Sequence, residues 1–145
     1  MPARLQPVLA TILGLVLLGG QWSVAHAEIF RFKASLTGAA EVPASDSASS
    51  GQGEFVFDSS TSQLVFTVVY QRLTGPATAA RILGPAKPGE NAAAVVVTFP
   101  VPDSPISGTI RLNDAEVAAL MAQLCYVNVQ TAAFPEGEIR GQIVK

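Results

Sequence analysis

Residues 30–36 read Phe-Arg-Phe-Lys-Ala-Ser-Leu, and residues 64–70 read Leu-Val-Phe-Thr-Val-Val-Tyr. In the first stretch Phe30, Phe32, Ala34 and Leu36 fall on one side and Arg31, Lys33 and Ser35 on the other. That two-residue period is the mark of a half-buried β-strand. In the second, Leu64, Phe66, Val68 and Tyr70 alternate with Val65, Thr67 and Val69, so that both sides are largely apolar. Such a run predicts a central strand covered on both faces. Between the two, Gly53, Phe55 and Phe57 share a face opposite Glu54 and Asp58, and Asp58-Ser59-Ser60-Thr61-Ser62 is a turn cluster.

The same alternation continues in both directions. Residues 37–51 are rich in Gly, Ala, Ser and Pro and read as a loop. After Gly75-Pro76 come a short strand over 78–83, a loop over 84–89 and a β-branched strand over 93–99. Pro100, Pro102 and Pro105 make a stiff connection, because proline donates nothing to a ladder. Ile106, Gly108, Ile110 and Leu112 then alternate with Ser107, Thr109 and Arg111. Near the end, Cys125, Val127 and Val129 oppose Tyr126, Asn128 and Gln130, while Ile139, Gly141 and Ile143 oppose Glu138, Arg140 and Gln142. Tyr70 and Tyr126 are expected to frame a sheet edge.

One segment breaks the pattern. Asn113 followed three residues later by Glu116 forms a capping box, and strong helix formers follow it. Val117, Leu120, Met121 and Leu124 recur at helical spacing, which predicts one short helix over about 114–124. About eight short strands, one helix and Gly/Pro-rich turns predict an all-β antiparallel sandwich or flattened barrel.

The first 27 residues read as a cleavable signal peptide. Arg4 precedes an apolar run, Val8 to Leu18, and Ala25-His26-Ala27 is an A-x-A cleavage site. The run is shorter than the roughly 20 residues that span a bilayer. Cleavage after Ala27 leaves residues 28–145 as one domain, secreted or periplasmic, with no membrane-spanning segment. It also removes Arg4 from a chain of net charge −2 and takes away His26, the only histidine. The single cysteine, Cys125, cannot form an intramolecular disulfide and is expected to be a buried small hydrophobe. A mild, mixed charge with no basic stripe excludes a nucleic-acid partner. Nucleophilic Ser-His-Asp or Cys-His chemistry lacks its base in residues 28–145.

Several fragments, in order, carry a family resemblance. They are Phe32-x-Ala34-x-Leu36-x-Gly38, Glu41-Val42-Pro43, Gly51-x-Gly53, Leu73-x-Gly75, Ala80-x-Ile82-x-Gly84-Pro85-Ala86, Tyr126-Val127-Asn128-Val129-x-Thr131 and Phe134-Pro135-x-Gly137-Glu138-Ile139-Arg140-Gly141-Gln142. Together they resemble the chordin-type (CHRD) domain. The resemblance implies an immunoglobulin-like or superoxide-dismutase-like β-sandwich and, in bacterial members, a short exported protein with one such domain and no settled activity. In chordin itself the domains sit beside cysteine-rich modules credited with growth-factor binding. Members commonly carry A-H-I-H-G-P-A and Y-V-N-V-H-T, whereas this chain places Arg81, Leu83 and Gln130 where those three histidines stand. Histidines at i and i+2 on a strand share a face and suit metal ligation. Arg cannot ligate, Leu has no lone pair and Gln is a poor ligand for transition metals, so no metal and no cofactor are expected.

The candidate binding residues are therefore Arg81, Asn128, Gln130, Glu41 and Arg140. For Glu41, Glu138 and Arg140 the favoured expectation is structural: an ion pair from the first loop to the last strand, with Arg140 gripping a carboxylate in bidentate fashion. Asn128 is expected to bond loop backbone, and Glu136 and Glu138 to be solvated charges beside a turn. The leading functional expectation is a non-enzymatic, exported module that binds an unidentified protein or an envelope or matrix ligand. The alternatives are a metal-binding or redox protein of superoxide-dismutase-like fold, disfavoured by the missing histidines, and a structural matrix component.

Overall fold

The computed structural model describes residue 23 and residues 26–145. The expected signal segment, 1–27, therefore lies almost wholly outside the described residues. Eight strands and one helix follow in order: β1 (Ile29–Thr37), β2 (Ser50–Asp58), β3 (Gln63–Gln71), β4 (Ala77–Leu83), β5 (Val95–Thr98), β6 (Ile106–Arg111), α1 (Asp114–Met121), β7 (Tyr126–Thr131) and β8 (Ile139–Gln142). All pairings are antiparallel. The strands form one curled ladder in the order β5-β4-β7-β8-β1-β2-β3-β6. The all-β expectation holds, with eight strands and one short helix that starts where expected.

The ladder has one half zipped along its full strand lengths, a second half in which the pairings of β4 shift register, and a thin joint between them. β1 and β2 pair over their full nine-residue lengths, as do β2 and β3. Between the halves, β1 meets β8 at one position, Thr37–Arg140, and an isolated bridge at Lys33–Val144 extends the contact.

The apolar sides of both halves close on one core. Phe32, Leu36, Phe55, Phe57, Leu64, Phe66 and Val68 from one half meet Ile82, Val127, Val129, Ile139 and Ile143 from the other, and all are buried. Phe66 reaches across to Phe99, with ring centroids 4.8 Å apart. Gly108 permits this, because a Cβ there would lie 2.8 Å from the Phe66 ring. Helix α1 caps the core with Ala119 and Leu120. Its capping box forms as read: Asn113 Oδ1 accepts from the Glu116 N–H (2.9 Å) and Glu116 Oε2 from the Asn113 N–H (2.8 Å).

Three expectations need correction. β3 is covered on one face only, since Val65 is 48% exposed and Val69 46%. Its apolar outer residues face solvent because its neighbours β2 and β6 are lateral partners. The helix ends at Met121, short of 124, because Gln123 takes a left-handed conformation (φ 60°). The chain turns there, with the Leu124 N–H donating to the Ala119 carbonyl (2.9 Å). Tyr126 does not frame an edge: it is buried on β7, between β4 and β8. Tyr70 lies one strand in from the β6 edge, its hydroxyl donating to the Pro102 carbonyl (2.7 Å). Among the described residues, no helix is long and apolar enough to cross a membrane.

Candidate functional site

The outward side of β4-β7-β8 differs from the outward side of β1-β2-β3. Cross-strand register aligns Arg81 with Asn128, and Asn128 with Arg140, so one polar row runs across three strands. Directly paired residues share a face. Parts of three connections, 41–49, 84–94 and 132–138, are hydrogen-bonded to this side. Asn91 Nδ2 joins two of them by donating to the Val42 carbonyl (2.8 Å), and Gln142 Nε2 holds the second by donating to the Ala86 carbonyl (2.9 Å).

Glu41 lies under the third connection and is 6% exposed. Its Oε1 accepts from Asn128 Nδ2 at 2.8 Å, and the same nitrogen donates to the Glu136 carbonyl at 3.3 Å. Asn128 thus bonds loop backbone, as expected, and a carboxylate as well. Burial pushes the Glu41 carboxyl up to about 7, against the Asn128 hydrogen bond and the positive field of Arg140. Gly137 packs directly on this pair with φ 142°, and any Cβ there would collide with Asn128 Nδ2 and with both Glu41 oxygens. Only glycine fits.

Arg140 is 2% exposed, but it does not grip a carboxylate. Its guanidinium lies 3.6 Å from the centroid of the Tyr126 ring and donates to Asn91 Oδ1 (3.3 Å) and the Lys87 carbonyl (3.2 Å). The expected bidentate pair is replaced by a cation–π contact and loop acceptors, which suit a planar cation held beneath a loop. Arg140 acts on Glu41 through space.

Glu138 was expected in solvent; it is fully buried, whereas Glu136 is exposed. Ser47, Ser49 and the Thr74 N–H donate to its Oε1 at 2.6, 2.7 and 2.9 Å. Thr74 and Thr131 hydroxyls donate to Oε2 at 2.9 and 2.6 Å. Burial alone would raise this carboxyl, but the donors from Ser47, Thr131, Ser49 and Thr74 outweigh it and hold it at about 2. Nothing in the sequence assigned a role to Ser47, Ser49 or Thr74, and Thr131 had only a place in the Tyr126–Thr131 fragment. The visible signal for the two serines is a hydroxyl-rich run at 45–50, within the loop that carries Glu41.

Arg81, Leu83 and Gln130 are half-buried. Arg81 Nη2 donates to Gln130 Oε1 at 3.2 Å, while the buried Arg81 Nε has no partner among the described residues. Arg81, Asn128 and Arg140 are therefore brought together as neighbours, with Glu41 over Asn128 and Gln130 beside Arg81. Cys125 is buried, and burial, with the Glu116 charge, pushes its thiol up to about 11, far from a reactive thiolate.

A model of the CHRD domain matches residues 32–143. The chain belongs to the CHRD domain family. No curated protein matches it, and no solved structure does. The CHRD match spans both halves of the ladder and every residue of the polar row. The Glu41, Asn128, Gly137, Glu138 and Arg140 arrangement thus lies wholly inside the CHRD domain.

Proposed function

We propose that this CHRD domain is an exported, non-enzymatic binding module of the cell envelope or extracellular space. The observation that carries the reading is the state of the polar groups. Glu138 is buried among hydroxyl donors, and Arg140 is buried against the Tyr126 ring with two hydrogen bonds to the 84–94 connection. Groups so committed fix the shape of a surface; they do not exchange protons or attack a substrate. Residues 28–145 contain no histidine, and the one thiol is held protonated. The apolar run at 8–18 and the Ala25-His26-Ala27 site supply the export half of the reading.

Cell fractionation with N-terminal sequencing tests the first half. The expected product is outside the cytoplasm and begins at Glu28. Titration against cell-envelope glycans and envelope proteins tests the second, with saturable binding and no chemical change to the ligand expected. Turnover of any substrate, lost on a single side-chain change, would overturn the reading. Concentration-dependent self-association through the β5 or β6 edge, each paired on one side only, would favour a matrix component instead.

A further inference from the structure

β5 and β6 are consecutive in the chain but do not pair. They are the two ends of the ladder, so the sheet curls without closing between them. Their connection, which carries Pro100, Pro102 and Pro105, is pinned to β3. The Tyr70 hydroxyl donates to the Pro102 carbonyl (2.7 Å) and accepts from the Ser104 N–H (3.2 Å), and the Tyr70 N–H donates to Ser104 Oγ (3.1 Å). β5 is held from the other side, where the Phe99 N–H donates to the Ala80 carbonyl of β4 (2.9 Å). Between the two strands lies a cavity of about 310 Å³. Its walls include Phe66, Val97, Phe99, Val101, Ile106 and Ile110, and none of its lining residues is charged. Val101 is 62% exposed.

The rims of this cavity carry backbone groups that the ladder does not use. The Leu112 N–H donates to the Ser62 carbonyl (2.9 Å), in the same register that pairs β6 with β3. Rungs of an antiparallel ladder fall on alternate residues. Ile106, Gly108 and Ile110 therefore turn their backbone groups toward β3, while Ser107, Thr109 and Arg111 turn theirs to the open edge. By the same rule the Phe99–Ala80 rung leaves the Thr98 groups of β5 facing away from β4. An acyl chain would fill the apolar space but leave these donors and acceptors dry. A strand fills the space and pairs them. Charge sets its direction. Nothing from Ser104 to Ile110 is charged; Arg111 stands exposed at one end of β6, and Asp103 stands exposed before the other. An antiparallel guest is therefore matched by an acidic residue at its start, facing Arg111, and a basic residue at its end, nearer Asp103.

We propose that β6 accepts an extended segment of a partner protein as an added antiparallel strand, whose alternate apolar side chains fill the cavity between β6 and β5. The proposal rests on the binding-module reading and names the partner's chemistry. Directly opposed residues share a face. The guest's apolar side chains thus stand opposite Ile106, Gly108 and Ile110, and its polar ones opposite Ser107 and Thr109.

The probe is the peptide Glu-Val-Thr-Val-Thr-Val-Lys, acetylated and amidated, titrated into the purified protein and followed by amide-resolved NMR and hydrogen exchange. Bound peptide is expected to slow exchange of the Ser107, Thr109 and Arg111 amides by about tenfold or more, while the Gly108 and Ile110 amides, already bonded to β3, change little. Replacing the two threonine amides of the peptide by esters removes the donors that face β6 without adding bulk, and should weaken binding about tenfold. Thr109→Pro removes an edge donor that makes no rung to β3 and should weaken binding by about as much. Val101→Asp puts a charge on the cavity wall at an exposed position; it should weaken binding severalfold and guards against a folding defect in the proline variant. No protection of the three amides, or binding undiminished by the esters, overturns the proposal. So does decanoate that moves the same amides as strongly as the peptide, which would make the cavity an acyl-chain site. Protection that grows with protein concentration in the absence of peptide would assign the edge to a second copy and overturns it as well. If the peptide is inert but an envelope glycan binds and moves other amides, this site falls and the binding-module reading stands.

Discussion

Two glutamates under the same set of loops end in opposite states. Glu41 and Glu138 are both buried, yet one carboxyl is pushed up to about 7 and the other held down at about 2. Burial is the largest influence on both and weighs more heavily on Glu41; the number of donors widens the gap. Glu138 is met by two serines and two threonines drawn from three separate segments, with a backbone N–H besides. Glu41 has Asn128, the Val42 N–H and the field of Arg140. The first region is a knot that ties the 45–49 loop and the β3–β4 connection to β8. The second is a single carboxyl held by Asn128 and packed beneath Gly137.

The largest expected effect breaks the knot. Glu138→Ala leaves the Ser47, Thr74 and Thr131 hydroxyls and the Thr74 N–H without this acceptor, while Ser49 keeps the Arg72 carbonyl (2.6 Å), and should cost about 3–5 kcal/mol in urea unfolding. A cost below 1 kcal/mol would mean that the knot is dispensable.

Next comes the pH dependence, in which the two carboxyls have opposite signs. Glu138 is depressed below its ordinary 4.5, so its contribution is complete above 4.5 and is lost as pH falls through about 2. Glu41 is raised above 4.5, so its contribution is complete below 4.5 and is lost as pH rises through about 7. Wild type minus Glu41→Gln, measured by urea unfolding at pH 4, 6 and 8, should fall by on the order of 2 kcal/mol across that window, after allowance for solvent screening. A flat difference would show that the two carboxyls are alike after all.

A smaller effect sharpens the Glu41 side. Asn128→Ala removes its side-chain donor and should cost about 1–3 kcal/mol at pH 8 and less at pH 5, where the carboxyl is protonated. Equal costs at both values would show that Asn128 serves only the Glu136 carbonyl. The smallest effect lies on the open side of the sheet. Val65→Thr on β3 should change stability by no more than about 0.5 kcal/mol in thermal unfolding. A larger loss would mean that this face is covered in solution.

The strands were legible because their signal is local. Phe30 to Leu36 declares its inward face by period alone, and Asn113 with Glu116 declares a helix start within four residues. What covers the other face is not local, so the apolar Val65 and Val69 read as buried although they face water. The helix end was missed because Gln123 adopts a conformation usually marked by glycine. For the site, the sequence named Glu41, Asn128, Arg81, Gln130 and Arg140, and the register brings them together. It misjudged their partners. The donors to Glu138 come from as far as 91 residues away, and Arg140 answers to an aromatic ring and a loop carbonyl, neither of which charge pairing foretells.

The thin joint has a mechanical consequence. Lys33 and Val144 exchange backbone hydrogen bonds of 2.8 and 2.9 Å, so the middle of β1 and the segment after β8 lie side by side and run in opposite directions. Tension that draws residue 144 away from the N-terminal side of β1 would load the rungs singly, as a zip opens, and not all together in shear. Force applied elsewhere on the domain bypasses this joint.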